Sequence, residues 1–240
     1  MKVSSYYEST GRGRIDSGGV SVAQRSYTYN YFNLLPKSRD ARIVDLGCSD
    51  GISLEWLLMN GYQNVVGVDS DEAAIGQARE KFKSELNNDQ IVCMEAFSYL
   101  KECEDNNVDM ILMFNVIEHI PKDVILIMVR EIRRVLKVGG CFLLQTGNCE
   151  NPFNIGLFAR DFTHRVMYTK NSLRQLMLIS GFRGKDVATG ALRYQTTLKN
   201  VLLQLLAPFM GLVIRMAALS MRMKVKETAP IIYCISYKNE

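Results

Sequence analysis

Short cysteine pairs are missing from this 240-residue chain: its six cysteines, at positions 48, 93, 103, 141, 149 and 234, form no C-x-x-C motif. That argues against a zinc ribbon and leaves reduced core residues as the expectation. The N-terminal stretch "MKVSSYYESTGRGRIDSGG" has no apolar core of signal-peptide length, so an intracellular location is expected. Internal repeats and low-complexity tracts are absent. Charge of one sign is scarce as well; a net +4 with no aromatic-basic patch is only a weak bias toward anionic partners, and no nucleic acid is expected among them. Histidine is scarcer still, at His119 and His164 alone.

What is present is an ordinary globular composition, 48% hydrophobic and 22% charged, in a chain long enough to bury one large core. Residues 1–22 read as a polar arm, and "VAQRSYTYNYFNLL" as a helix ending before Pro36. An alternation follows. Strands are predicted at 42–46, 64–69, 91–95, 108–115 and 141–146, with helices over 51–60, 71–86, a short stretch after 95, and 122–136. The interleaving predicts an α/β doubly wound, mostly parallel sheet with helices on both faces. Beyond an irregular stretch at 147–170 the pattern gives a helix at 171–180, a strand near 182–189, an apolar helix from about 195 to 223, and a final strand at 231–237, expected to run antiparallel. The division is then an arm and helix over 1–36 and one domain over 37–240, with 195–226 as a helical insertion.

The first strand runs into "DLGCSDG", an Asp45-x-Gly47-x-x-x-Gly51 turn before a helix. Glycines let a ligand approach the main chain, and the following helix presents unpaired N–H groups. Asp69 ends the next strand, 24 residues after Asp45, where a carboxylate can accept both ribose hydroxyl hydrogens. Gly-x-Gly-x-x-Gly is absent and position 49 is Ser, which disfavours NAD.

In order along residues 40–146, "VDLGCSDG", "VVGVDSDEAAIGQAR", "CMEAF", "VDMILMFNVIEHI" and "IRRVLKVGGCFLL" resemble the motif set of class I S-adenosylmethionine-dependent methyltransferases. The resemblance implies S-adenosylmethionine as cofactor and a role for each matching residue. Asp45 would orient the turn or hold the methionine amino group, with the main chain of Gly47 and Cys48 against the methionine portion and Gly51 closing the turn. Asp69 would hold the ribose, Ser70 would lie beside the adenine, and Glu95 and Ala96 would meet its edge. Asn115 and Val116 would face cofactor and acceptor, and Arg25 would cover the methionine carboxylate. Ser49 stands where the family has glycine.

Both histidines fall in loops at the carboxyl edge of the sheet. Methyl transfer to a hydroxyl gains from a base that removes its proton, and a neutral imidazole suits that role, so His119 and His164 are the candidate catalytic residues. Bracing of the loop by a Glu118–His119 pair is the bland alternative. An "ExxEH" segment, which "NVIEH" here resembles, binds a divalent metal together with a later histidine in some ubiquinone-pathway and small-RNA methyltransferases. Glu118, His119 and His164 match those ligand positions here, but Asn115 replaces the first acid, so metal is the less favoured reading.

Residues 148–182 resemble, more loosely, methyltransferases of polysaccharide and glycan assembly. Asn148, Asn151, Asn154, Arg160, Asp161 and Thr163 would form a polar wall for sugar hydroxyls. The uncharged stretch 200–214 is too short for a confident span and is followed by Arg215, Arg222, Lys224 and Lys226. It reads as an interfacial helix or a protein contact such as a homodimer, with a lipid-linked acceptor at the inner face of a membrane giving the first reading a purpose. The expectation is therefore an O-methyltransferase acting on a sugar or glycan intermediate. The alternatives are a small lipophilic acceptor such as a quinone precursor, and a non-catalytic scaffold that keeps the fold.

Overall fold

Four consecutive buried residues, "IVDL", make β1 (Ile43–Leu46) a strand covered on both faces, as a parallel sheet demands. The computed structural model describes residues 22–193 and 198–240, with the side chains of 198–204 outside that description. Around β1 the chain alternates: α1 (Val22–Tyr31) precedes it, then come α2 (Ile52–Met59), β2 (Val65–Asp69), α3 (Glu72–Lys81), β3 (Ile91–Cys93) and α4 (Ala96–Glu102). The second half supplies β4 (Val108–Phe114), α5 (Lys122–Val135), β5 (Leu136–Gly147), α6 (Phe153–Ala159), α7 (Lys170–Ile179), β6 (Val187–Ala191), α8 (Leu198–Ser220) and β7 (Ile231–Tyr237).

The seven strands lie in the order β3-β2-β1-β4-β5-β7-β6, parallel except for β7, which pairs antiparallel with both β5 and β6. Between β1 and β4 the winding reverses, and open α/β sheets bind ligands outside the strand ends at that switch point. Each face carries its own apolar cluster. One centres on α5, whose Ile125, Met128, Val129, Ile132 and Val135 are buried at helical spacing while Arg130 and Arg133 stay outside. The other takes Tyr31 of α1 together with Trp56 and Tyr62, so the N-terminal helix is built into the core.

Two expectations about elements change. The stretch 147–170 is not wholly irregular, since Phe153–Ala159 forms α6; its Phe153, Ile155 and Leu157 are exposed, so it lacks a buried periodic face. The strand expected at 141–146 starts earlier, so that "VGG" (138–140) lies inside β5 with a register irregularity opposite Val108 and Met110. Thr169 caps α7, accepting from Ser172 N at 3.1 Å.

Candidate active site

At the carboxyl edge, over the β1/β4 switch point, lies a cavity of about 720 Å³. Its floor is the turn after β1. The N–H groups of Gly47 and Cys48 both donate to the Val68 carbonyl, at 2.7 and 3.1 Å, folding the turn back on β2. Gly47 has φ +83°, and a Cβ there would overlap Val116 Cγ2, so only glycine lets the two loops close on one another. Gly51, also at φ +83°, starts α2 with Phe82 packed where its Cβ would be; it shapes the turn and does not line the cavity. Ser49 holds φ +50° where glycine is free of strain, and its N–H donates to Asp69 Oδ2 at 2.9 Å. Cys48 lines the cavity with its sulfur over Gly67, and burial pushes its thiol pKa up.

Two carboxylates divide the work. Asp69 ends β2 with one oxygen accepting from Ser49 N and the other from Asp71 N, each at 2.9 Å. Each oxygen keeps a second lone-pair direction, enough for a vicinal diol. Asp45, 1% exposed, receives the Ser53 hydroxyl. Burial raises its pKa to about 7, opposed by the Ser53 hydrogen bond and helped by the charge of Asp69. Ser70, Glu95 and Ala96 line the cavity beside them. Asp45, Asp50, Asp69, Asp71 and Glu95 set a negative field with Arg165 the lone basic lining residue among those described, which favours a cationic ligand over its neutral product.

Asn115 and Val116 close the β4 side. Asn115 sits at φ +56°, its Oδ1 accepting from Gln145 Nε2 at 3.3 Å, and Tyr31 donates to Gln145 Oε1 at 2.9 Å. The Tyr31–Gln145–Asn115 chain orients the asparagine from the protein interior. Gln145, an amide inside an apolar strand, was the sequence signal for it; nothing in the sequence marked Tyr31. Ser53 was missed too, although a hydroxyl in the first turn of the helix after a glycine turn is well placed to meet the strand acid. Arg25 is exposed on α1 and does not line the cavity. Tyr27 does, held against Trp56 and Phe114 with ring centroids 5.6 and 4.9 Å away. Two residues apart on a helix point to opposite sides, so α1 cannot present both.

His119 lines the cavity, and His164 does not. The two rings are nevertheless neighbours, with centroids 4.6 Å apart. His164 donates Nδ1–H to the Phe158 carbonyl at 2.9 Å and stacks on the Phe158 ring. His119 Nδ1 meets Thr163 Oγ1 at 2.8 Å, and that hydroxyl gives its single hydrogen to Asp161 Oδ1 at 2.6 Å. Thr163 must then accept from His119, which assigns the proton to Nδ1 and the lone pair to Nε2. Glu118 is 7% exposed and accepts from Thr146 Oγ1 at 3.0 Å. Ligand atoms of Glu118, His119 and His164 lie within 4.8 Å of one another, a donor set of one carboxylate and two imidazoles. That chemistry fits a divalent ion.

The asparagines after β5 do something other than line a wall. Asn148, buried, donates to the Glu227 and Ala229 carbonyls at 3.0 and 2.8 Å; Asn151 donates to the Thr228 carbonyl at 2.9 Å, and Asn154 to those of Asn148 and Pro230. Their amides are spent satisfying the chain that leads from α8 into β7. Backbone carbonyls withdrawn from water need partners, and for this half-buried segment these three side chains supply them.

Residues 43–140 match the family model of a methyltransferase domain. The fold is shared with a SAM-dependent methyltransferase from Archaeoglobus fulgidus at 18% identity, covering 97% of this chain and 100% of that one with a TM-score of 0.70. It is shared also with an S-adenosylmethionine-dependent methyltransferase from Mesorhizobium loti (14%, 90% and 100%, TM-score 0.64) and with a complex between the Haloferax volcanii Trm112 methyltransferase activator and a methyltransferase (15%, 90% and 90%, TM-score 0.65). No curated protein matches the sequence. Residues 43–140 thus resemble a methyltransferase domain, and the chain as a whole shares the fold of these S-adenosylmethionine-dependent methyltransferases. The glycine cradle and the strand-end Asp69 fit the S-adenosylmethionine that a domain of this kind would use as methyl donor.

Proposed function

We propose that the chain transfers the methyl group of S-adenosylmethionine to a hydroxyl oxygen of a small acceptor, with His119 as general base. Asp69 holds the ribose, the Gly47–Cys48 main chain receives the methionine portion beside Asp45, and Glu95 meets the adenine edge. S-adenosylmethionine would supply the methyl group, its sulfur–methyl bond giving way to an oxygen–methyl bond, and His119 would take the acceptor hydroxyl's proton at Nε2. The observation carrying this reading is the Asp161–Thr163–His119 chain, which fixes the imidazole as the tautomer that can take a proton at Nε2. His164 packs beside His119 and positions it.

The acceptor class follows from what surrounds the base. Of the polar wall read for a sugar, Asn148, Asn151 and Asn154 are engaged elsewhere, Arg160 and Asp161 do not line the cavity, and Thr163 lines it but is held between His119 and Asp161; the cavity residues flanking His119 in the chain are Val116, Ile120, Pro121 and Val124. They favour a small lipophilic acceptor bearing a hydroxyl over a glycan. A second reading rests on the clustering of Glu118, His119 and His164: these residues would hold a divalent ion, which when bound supplies Lewis-acid activation of the hydroxyl.

The test is methyl transfer by His119→Ala and Thr163→Val against a panel of phenolic and aliphatic alcohols, with dialysis against EDTA in parallel. His119→Ala is expected to lose roughly 10²–10⁴-fold in rate with cofactor affinity retained, the range for a general base. Thr163→Val should fall less and shift the pH profile. Retention of activity in His119→Ala within about twofold would remove His119 as base, since a base contributes far more. Loss of activity on chelation, restored by added metal, would favour the metal reading.

A further inference from the structure

Helix α8 carries more exposed apolar surface than any need of the cavity accounts for. Leu205, Phe209, Leu212, Met216 and Leu219 are 53–69% exposed, and Leu206, Met210 and Val213 add to them. At 100° per residue these side chains cover roughly half the helix circumference. The opposite stripe faces protein: Gly211 and Ala218 are buried, and a Cβ on Gly211 would lie 2.9 Å from Thr228 Oγ1. Exposed Met221 and Met223 continue the apolar surface beyond the helix end. Scattered exposed leucines need no explanation, but a contiguous face of this kind marks a binding surface.

Charge selects the occupant. From Leu198 to Lys226 the chain holds Lys199, Arg215, Arg222, Lys224 and Lys226 and not one aspartate or glutamate. A two-fold contact with a second copy would set cations against cations. An anionic bilayer offers the complement to both properties at once, acyl chains for the apolar face and headgroups for the basic border. No helix among the described residues is long and apolar enough to cross a membrane. We infer that α8 is an interfacial helix that seats the enzyme on an anionic phospholipid surface.

The seat adjoins the cavity. Thr228, beneath Gly211, has its carbonyl bound by Asn151, and Asn148 and Asn154 fasten the flanking carbonyls, so the exit of α8 is bolted to the segment that carries Thr163 and His164. Helix α6 in that segment exposes Phe153, Ile155 and Leu157 next to the same joint. β7 then begins at Ile231 opposite Gly147, at the carboxyl end of β5 where the cavity opens. A membrane on α8 thus lies beside the catalytic edge, where an acceptor dissolved in lipid would arrive.

Sedimentation with phosphatidylcholine vesicles, with and without phosphatidylglycerol, tests this on the full chain, alongside thermal melting, S-adenosylhomocysteine binding and light scattering. Wild-type protein is expected to sediment with the phosphatidylglycerol vesicles and to be released by salt. Leu205→Glu with Phe209→Glu should reduce binding by roughly tenfold or more while melting and S-adenosylhomocysteine affinity hold. Should that pair unfold the chain, Arg222→Gln with Lys224→Gln reads the same surface without burying a charge, and should also weaken binding roughly tenfold. Wild-type protein that stays in the supernatant with both vesicle types overturns the inference. So does a dimer in light scattering that Leu205→Glu with Phe209→Glu dissociates, which would make a second copy the occupant.

Discussion

The turn after β1 and the loop after β5 border the same sheet edge, and both are crowded with short polar residues. In the first, Ser49 and Asp71 donate backbone N–H groups to Asp69, so the carboxylate is held by the chain while still facing the cavity. In the second, Asn148, Asn151 and Asn154 are turned inward, and the carbonyls of 227–230 take their amide hydrogens. One region uses the backbone to display side chains; the other uses side chains to complete the backbone. Polarity in a loop therefore does not say which way it faces, and the loop after β5 is better understood as the anchor of α8 than as a sugar-binding wall.

The largest expected effect breaks this comparison on the structural side. Asn148→Ala leaves the half-buried Glu227 and Ala229 carbonyls without their side-chain donor, a loss on the order of 2–4 kcal/mol of stability when two groups at ~1–3 kcal/mol each are discounted for partial access to water. Denaturant unfolding should show it, and S-adenosylhomocysteine should still bind the folded fraction with unchanged affinity. A variant as stable as wild type but unable to bind acceptor would return Asn148 to the site.

On the display side the signs reverse. Asp69→Ala should weaken S-adenosylhomocysteine binding by ~1.5–3 kcal/mol, the value of charge-assisted hydrogen bonds, and cost little stability because water reaches the amides of Ser49 and Asp71. Calorimetry and melting on the same sample decide it. Unchanged affinity would take Asp69 out of the cofactor site.

The same contrast explains what the sequence made legible. Strand acids, glycine turns and their spacing are local, so β1 to β5, the turn and the positions of Asp45, Asp69, Glu95 and Asn115 at one sheet edge could be read in order. Relations between distant segments could not. Tyr31 reaches Gln145 across 114 residues of chain, Thr163 reaches His119 across 44, and Asn148 reaches Ala229 across 81. For Arg25 the missing information was local, the helix phase, which brings the half-buried Tyr27 to the cavity and turns residue 25 outward. Helix α8 and the closing antiparallel strand were legible from an uncharged run and a β-rich tail, whereas α6 has no buried apolar stripe to announce it.

The smallest effect concerns Asp45, the carboxyl beneath the turn. Asp45 is held by Ser53 in a buried place, and burial lifts its pKa from 3.8 to about 7. Because the folded pKa lies above the unfolded one, the folded state keeps a proton that the unfolded chain gives up. The stabilisation this brings is fully present below about pH 4 and is lost as pH rises through about 7. A cofactor ammonium beside Asp45 reverses that preference, since it favours the carboxylate, so binding below about pH 7 must expel a proton. Affinity for S-adenosylhomocysteine should therefore climb up to about tenfold per pH unit, ~1.4 kcal/mol, until it levels above the pKa. Calorimetry in buffers of differing ionisation enthalpy reads the released proton directly. In Asp45→Asn the proton release and the slope should both vanish, and the decline in melting temperature toward neutral pH should flatten. Proton release that persists in Asp45→Asn would move the titrating group elsewhere in the cavity and leave Asp45 as a support for the turn.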